Sequence, residues 1–286
     1  MFMTMKVSDF LSNIGSSAKS VVKIALQSRA TVSPRACAKG GSRIIILGNG
    51  PSLNSTLADH AAILAKTPTL AVNFMANAPQ FGIVKPDYYV LADPHFFTGI
   101  GNANVDSLWQ VLATVDWPMT LSVPATRLKK AKELLAFGSN PNLKLATFNF
   151  VGAEGFACFE NMAFNTRLAM PRPRNVLIPA VMTAIAAGYT EIYLTGADHS
   201  WLETIRVTDE NHVVSVQPHF YADSKTELKR SETEYRGYHL HDILHSFYTA
   251  FRSYHILRRY AAVRGINIYN ATPGSYIDAF ERRSLN

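Results

Sequence analysis

Five polar residues each close or directly follow a short apolar run: Asn49, Asn73, Asp93, Asp198 and Asn270. If those runs are strands of one parallel sheet, the five collect at its carboxyl rim, where α/β folds bind ligands. Asn and Asp favour turns on their own account, so it is their recurrence that points to a site. The loop Gly48-Asn49-Gly50-Pro51-Ser52 is the strongest single signal. Gly48 and Gly50 permit positive φ and close backbone approach. Pro51 and Ser52 can open a helix whose free N–H groups and dipole attract a phosphate. A tight turn without ligand is the plainer alternative. No glycine stands three residues after Gly50 and no Gly-Lys-Ser/Thr follows, which disfavours a dinucleotide dehydrogenase and a P-loop NTPase.

A second cluster is His239, His241 and His245 in the stretch Tyr238–His245. A neutral imidazole is suited to take a proton from a hydroxyl, and His241, at a helix start, is the best placed. His241 and His245 stand four apart, the spacing of a helical metal pair. Without a glutamate between them or a third ligand, zinc is disfavoured. Capping or surface roles remain open for each. No Asp-x-Asp occurs, which fits chemistry without a metal, and no cofactor is expected.

The elements that must position these groups alternate. Arg43–Leu47 is a continuous β-branched run, as in a buried parallel strand. Strands follow at 69–72, 87–91, 119–123 and 143–148, with helices over 53–66 and around 129–137. The segment 176–187 is nearly all apolar and stops at Gly188; a strand at 191–195 then runs into Gly196-Ala197-Asp198. A long helix over about 242–264 ends at Gly265, and 266–269 is the last strand. The fold class is therefore α/β, a Rossmann-like parallel sheet flanked by helices, with one catalytic domain at 42–286.

Residues 202–238 are rich in charge and poor in aliphatics, and read as a small lid insertion containing a hairpin at 205–207 and 213–216. Residues 1–41 form an N-terminal extension. Its apolar residues Val7, Phe10, Leu11, Ile14, Val21, Val22, Ala25 and Leu26 recur at near-helical spacing among Lys6, Lys19, Lys23 and Arg29. This pattern suits a weak amphipathic helix on an anionic membrane surface, or a helix packed on the domain, with Gly15-Ser16-Ser17 interrupting the stripe.

The net charge of +7 favours an anionic partner such as a nucleotide or an acidic glycan. Only Cys37 and Cys158 are present, without CxxC spacing, which disfavours a disulfide framework and suits a cytoplasmic enzyme. No secretory pattern or apolar run long enough for a span is expected.

The string Ile45–Leu53 resembles the opening strand and loop of the bacterial sialyltransferases of glycosyltransferase family 42. Ala184–Asp198 is similar to that family's helix-strand-Gly-x-Asp segment, and Phe164-Asn165-Thr166-Arg167 looks like its Phe-Asn-x-Arg. The likeness covers about residues 43–280. The Gly-Asn-Gly-Pro-Ser-Leu loop also resembles a broader group that includes pterin diphosphokinase-like proteins.

The resemblance implies a GT-A-variant fold and a metal-independent, inverting transfer of an acidic, sialic acid-like sugar from a CMP-sugar. The acceptor would be a surface glycan or glycolipid, as in lipopolysaccharide. Gly48 and Asn49 would contact the nucleotide phosphate and sugar, and Asn73 the ribose or the donor. Gly50, Ser52, Gly196 and Asp198 are the further substrate-binding candidates of the same loops. Asp93 stands where the family has a donor-binding asparagine. Where the family holds the sugar carboxylate with Thr-Ser-Gly, this chain has an insertion, Leu168–Arg174, followed by Asn175; Arg172, Arg174 and Asn175 could serve instead. The family's two leaving-group tyrosines correspond to Ser200 and Tyr221, with Lys225 and Arg230 nearby, and its base to His241 or His245. A magnesium-dependent phosphotransferase and a non-catalytic nucleotide-binding module are the alternatives. Nucleic acid is not an expected partner; peripheral membrane contact at the inner membrane and a homo-oligomer are both compatible with the chain.

Overall fold

The computed structural model describes residues 7–37, 39–136, 138–215 and 237–286. Ten strands are present among them: β1 (Arg43–Leu47), β2 (Thr69–Val72), β3 (Tyr88–Val90), β4 (Met119–Pro124), β5 (Leu143–Phe148), β6 (Glu191–Thr195), β7 (Arg206–Val207), β8 (Val213–Val214), β9 (Asn267–Asn270) and β10 (Glu281–Arg282). Eight form one sheet in the order β10-β9-β6-β1-β2-β3-β4-β5, with every pairing parallel. β7 and β8 form a separate antiparallel hairpin.

The sheet is buried on both faces because its strands are apolar throughout. In β1, Ile44 and Ile46 enter one core and Ile45 and Leu47 the other, and all four are fully buried. Each such side chain contributes about 1.5–3 kcal/mol relative to exposure. The apolar helix Leu177–Ala186 fills the first core together with Tyr254 and Leu257 of the long helix Leu240–Val263. Aromatic residues such as Phe96, Phe97 and Trp109 fill the second.

The chain runs outward from β1 through β5, then returns to place β6 on the other side of β1. Crossovers therefore leave in opposite directions from β1 and β6, and a crevice opens between their carboxyl ends. This topological switch point sets where a ligand can sit.

Some sequence expectations shift in detail. The helix expected over 53–66 is two helices, Leu53–Asp59 and Ala61–Lys66, broken at His60. The last expected strand moves by one residue, to Asn267–Asn270, and β10 follows it as an edge strand. Two exposed residues carry no periodic signal, so β10 was not legible. The hairpin in 202–238 forms as expected, whereas residues 216–236 of that segment lie outside the described residues.

The N-terminal helix, Val7–Gln27, runs through Gly15-Ser16-Ser17 without interruption. It docks by its serines: Ser20 Oγ donates to the Glu154 carbonyl, and Ser17 Oγ accepts from the Phe156 N–H. No helix among the described residues is long and apolar enough to cross a membrane.

Candidate functional site

A cleft of about 980 Å³ opens at the switch point. Its floor is the two loops that leave β1 and β6, stitched together by backbone bonds. Gly48 N–H donates to the Thr195 carbonyl and Gly50 N–H to the Gly196 carbonyl, both at 2.8 Å. The contact is too close for side chains. A Cβ on Gly48 would lie 2.4 Å from the Gly196 oxygen, and one on Gly196 would lie 2.3 Å from the Gly48 oxygen. Gly196 has φ +60°, whereas neither Gly48 nor Gly50 has a positive φ. Gly48 and Gly50 thus serve the close backbone approach expected from the sequence, here loop against loop, and do not use a positive φ.

Ser52 bonds within the protein. Its N–H donates to Asp198 Oδ1 at 3.2 Å and its hydroxyl to Asp198 Oδ2 at 2.8 Å. The Asp198 carboxylate therefore occupies the start of the helix Leu53–Asp59, where a phosphate was expected. A carboxylate satisfies the same unpaired N–H groups and the same dipole. Ser52 does not line the cleft, although Asp198 does.

Of the other candidate residues, Gly48, Asn49, Gly50, Asn73, Asp93, Arg174, Asn175, Gly196, Ser200, His241 and His245 all line it. Tyr221 lies outside the described residues, as do Lys225 and Arg230. Asn270, expected on the same rim, is structural. It is 1% exposed and bonded to Ser275, Ile277 and Thr272. Phe164-Asn165-Thr166-Arg167 is also away from the cleft. There Phe164 packs in the core, Asn165 accepts from Tyr260 and Arg264, and Arg167 reaches Ser33. Arg172 does not line the cleft either; it pairs with Glu154.

Three amides along the cleft carry unsatisfied groups. Asn49 is 7% exposed and its Nδ2 donates to the Val72 carbonyl, leaving Oδ1 without a partner among the described residues. Asn73 holds a left-handed backbone, φ 52°, and its buried Oδ1 is likewise unpartnered. At Asn175 it is the donor, Nδ2, that is buried and unpartnered. Buried polar groups are ordinarily paired, and leaving one unmade costs about 1–3 kcal/mol. All three residues line the cleft, and their unpaired groups are two acceptors and one donor set in its walls.

The orientation of Asn175 follows from its neighbours. Its Oδ1 accepts the Leu177 N–H at 3.0 Å and the Tyr254 hydroxyl at 2.9 Å. Tyr254 therefore spends its only proton on Asn175, and His199 Nε2, 2.7 Å from the Tyr254 oxygen, must be the protonated nitrogen that donates to it. His199 is 8% exposed, has a left-handed φ of 54° and stacks on Trp201 at 4.1 Å between centroids. Burial lowers its pKa to about 3, so it is neutral, and burial pushes the Tyr254 phenol up. This relay turns the Asn175 amide so that its N–H₂ is the free end.

Neither His199 nor Tyr254 stood out in the sequence. His199 has a usable signal, since it sits between Asp198 and Ser200 at the end of β6. Tyr254, buried in the middle of a helix, looks like any core aromatic.

The long helix supplies the opposite wall. His239 is its N-cap, with Asp242 closing a capping box back onto the His239 N–H. That places His241 on the rim with its side chain 80% exposed and Nε2 3.4 Å from Asp242 Oδ1. His245 is exposed one turn further on. Asp93, also exposed, accepts the His95 N–H at 2.7 Å and so closes a local turn. Among the described residues no three His, Cys, Asp or Glu side chains come together as metal ligands.

No protein-family model matches this chain, and no curated protein does. Among solved structures, its fold is similar to that of the MAf glycosyltransferase from Magnetospirillum magneticum AMB-1, with a TM-score of 0.50 at 13% identity. The match covers 98% of this chain and 39% of that one. The chain thus spans about two-fifths of the length of that transferase, and at this identity the likeness is one of fold: a Rossmann-like α/β sheet of the kind a glycosyltransferase uses.

Proposed function

We propose that the switch-point cleft is the active site of a glycosyltransferase that uses a nucleotide-activated sugar. The observation that carries this reading is the set of unpartnered amide groups of Asn49, Asn73 and Asn175, gathered where the crossovers diverge. Ribose hydroxyls and base edges can donate to the two acceptors, and a carboxylate or phosphate oxygen can accept from Asn175 Nδ2. The fold likeness supports a glycosyltransferase, and the family 42 resemblance of the β1 and β6 loops favours a CMP-sugar carrying an acidic sugar.

Transfer would then be a single displacement. The acceptor hydroxyl oxygen attacks the anomeric carbon from the face opposite the nucleotide, and the bond to the leaving phosphate breaks with its electron pair going to CMP. The acceptor proton passes to His241 or His245 on the rim; the single attack from the opposite face makes the step inverting, and no metal is called for. Arg174 stands at the cleft to offset the charge of the departing group; Tyr221, Lys225 and Arg230 are its further candidates. The acceptor would be a surface glycan or glycolipid.

A thermal-shift panel of CMP, CDP, UDP, GDP and ATP with and without Mg²⁺ tests this. A ligand at 100 times its dissociation constant adds about 2.7 kcal/mol. Selective stabilisation by CMP or CDP without metal is the expected result and would justify a screen of CMP-sugars. Stabilisation by ATP with Mg²⁺ alone would overturn it in favour of a phosphotransferase. CMP binding with no turnover on any CMP-sugar would leave a nucleotide-binding module.

A further inference from the structure

The N-terminal helix is mounted with its apolar side outward. The residues it turns toward the domain are Asn13, Ser16, Ser17, Ser20 and Ile24, with Ser28 just past its end. Asn13, Ser17, Ser20, Ile24 and Ser28 are three or four apart, and only Ser20 is fully buried. Ser17 and Ser20 bond to the backbone of residues 154–156, and Gly155 permits the contact, since a Cβ there would lie 2.0 Å from Ser17 Oγ. Phe10 meets Phe156 edge-on at 5.5 Å, which steadies the first half of the helix. A serine stripe buries little apolar area, so this docking is specific in geometry rather than driven by hydrophobic burial.

The opposite stripe is left uncovered. Val7 is 76% exposed, Leu11 62%, Val22 57% and Leu26 68%, with Ile14 and Val21 also open. At 100° per residue these fall on one continuous face, and Lys19 and Lys23, both exposed, lie along one border of it. At 1.5 Å per residue the helix is about 32 Å long. A ribbon of this kind exceeds the isolated exposed apolar residues of an ordinary surface.

We propose that this helix seats the protein on an anionic lipid surface, lying in the plane of the headgroups with its apolar stripe inserted. Charge complementarity selects this occupant: lysines bordering an apolar stripe suit acidic headgroups, and the whole chain carries +7. Antiparallel pairing of two copies through the same stripe would instead bring both pairs of lysines to one seam. The seat is tied to the cleft wall, because the Glu154 side chain, next to the helix's anchor, pairs with Arg172 and with Arg252 of the long helix. The proposal concerns the surface alone and holds whatever chemistry the cleft performs.

The test is co-sedimentation of the full chain with vesicles of phosphatidylglycerol and with vesicles of phosphatidylcholine, at low and high salt. Binding to phosphatidylglycerol, weakened by salt, is expected. The double variant Lys19→Gln/Lys23→Gln should bind about thirtyfold more weakly. Leu11→Glu/Val22→Glu, which changes only exposed positions, should bind at least about tenfold more weakly while keeping the wild-type melting transition. Equal binding to both lipids, no binding to either, or undiminished binding by the Glu variant would each overturn the proposal. So would a concentration-dependent dimer in sedimentation equilibrium that the Glu variant abolishes, which would assign the stripe to a second copy.

Discussion

His199 Nε2 and the Tyr254 hydroxyl lie 2.7 Å apart beneath the cleft, a donor and acceptor whose roles are fixed by the Asn175 amide beyond them. A buried neutral imidazole thus sets the orientation of an amide that lines the cleft.

That burial has a pH signature. His199 has a pKa of about 3 in the folded chain against about 6.5 when exposed. Above pH 6.5 both states are neutral there and His199 contributes no pH dependence. Below it the unfolded chain takes a proton that the native chain refuses, so stability falls as pH drops toward 3, by about 1.4 kcal/mol per unit. His199→Gln keeps a donor for Tyr254 and removes the titration. Urea midpoints followed from about pH 7 to about pH 5 should show a shallower slope by one proton in the variant; parallel slopes would refute the buried neutral state.

Asn175→Asp separates orientation from ligand contact. An aspartate keeps both acceptances, from Leu177 N–H and Tyr254, but replaces the free Nδ2 donor with an acceptor. The fold should persist while CMP affinity drops by about 1.5–3 kcal/mol, measured by calorimetry. Unchanged affinity would place the ligand elsewhere.

Asn49→Ala should act differently, because Nδ2 also bonds the Val72 carbonyl. Stability is expected to fall by about 1 kcal/mol and nucleotide binding by a similar amount, read by melts with and without CMP.

Gly48→Ala and Gly196→Ala both thrust a methyl into backbone oxygen, at 2.4 and 2.3 Å. Losses of about 1–3 kcal/mol or more are expected in chemical denaturation. Gly15→Ala, in the exposed N-terminal helix with open space around it, should instead stabilise by up to about 1 kcal/mol. Equal effects at the three sites would contradict the loop-packing role.

His241→Ala should abolish transfer while leaving CMP binding intact, since the side chain stands on the rim and supports no core contact. Full activity in that variant, with loss in His245→Ala, would move the base one turn along the helix.

The α/β layering was legible because apolar runs and glycine stops are local signals: Arg43–Leu47, Thr69–Val72 and Glu191–Thr195 form strands where periodicity placed them. The rim position of Asn49, Asn73, Asp93 and Asp198 followed from that alternation alone. What each polar atom does was decided only by the tertiary structure. Asp198 and Ser52 are 146 residues apart, and their pairing turns an expected phosphate site into an internal cap. Asn270 looked like its fellows but closes its hydrogen bonds within its own turn. The N-terminal helix could be read as amphipathic, yet that its serines, joined only by Ile24 among its large aliphatics, face the domain depends on the 154–156 loop, brought alongside by folding. Sequence fixes periodicity and propensity, which act between near neighbours. Hydrogen-bond satisfaction and burial depend on partners far along the chain, which only the packed fold brings within reach.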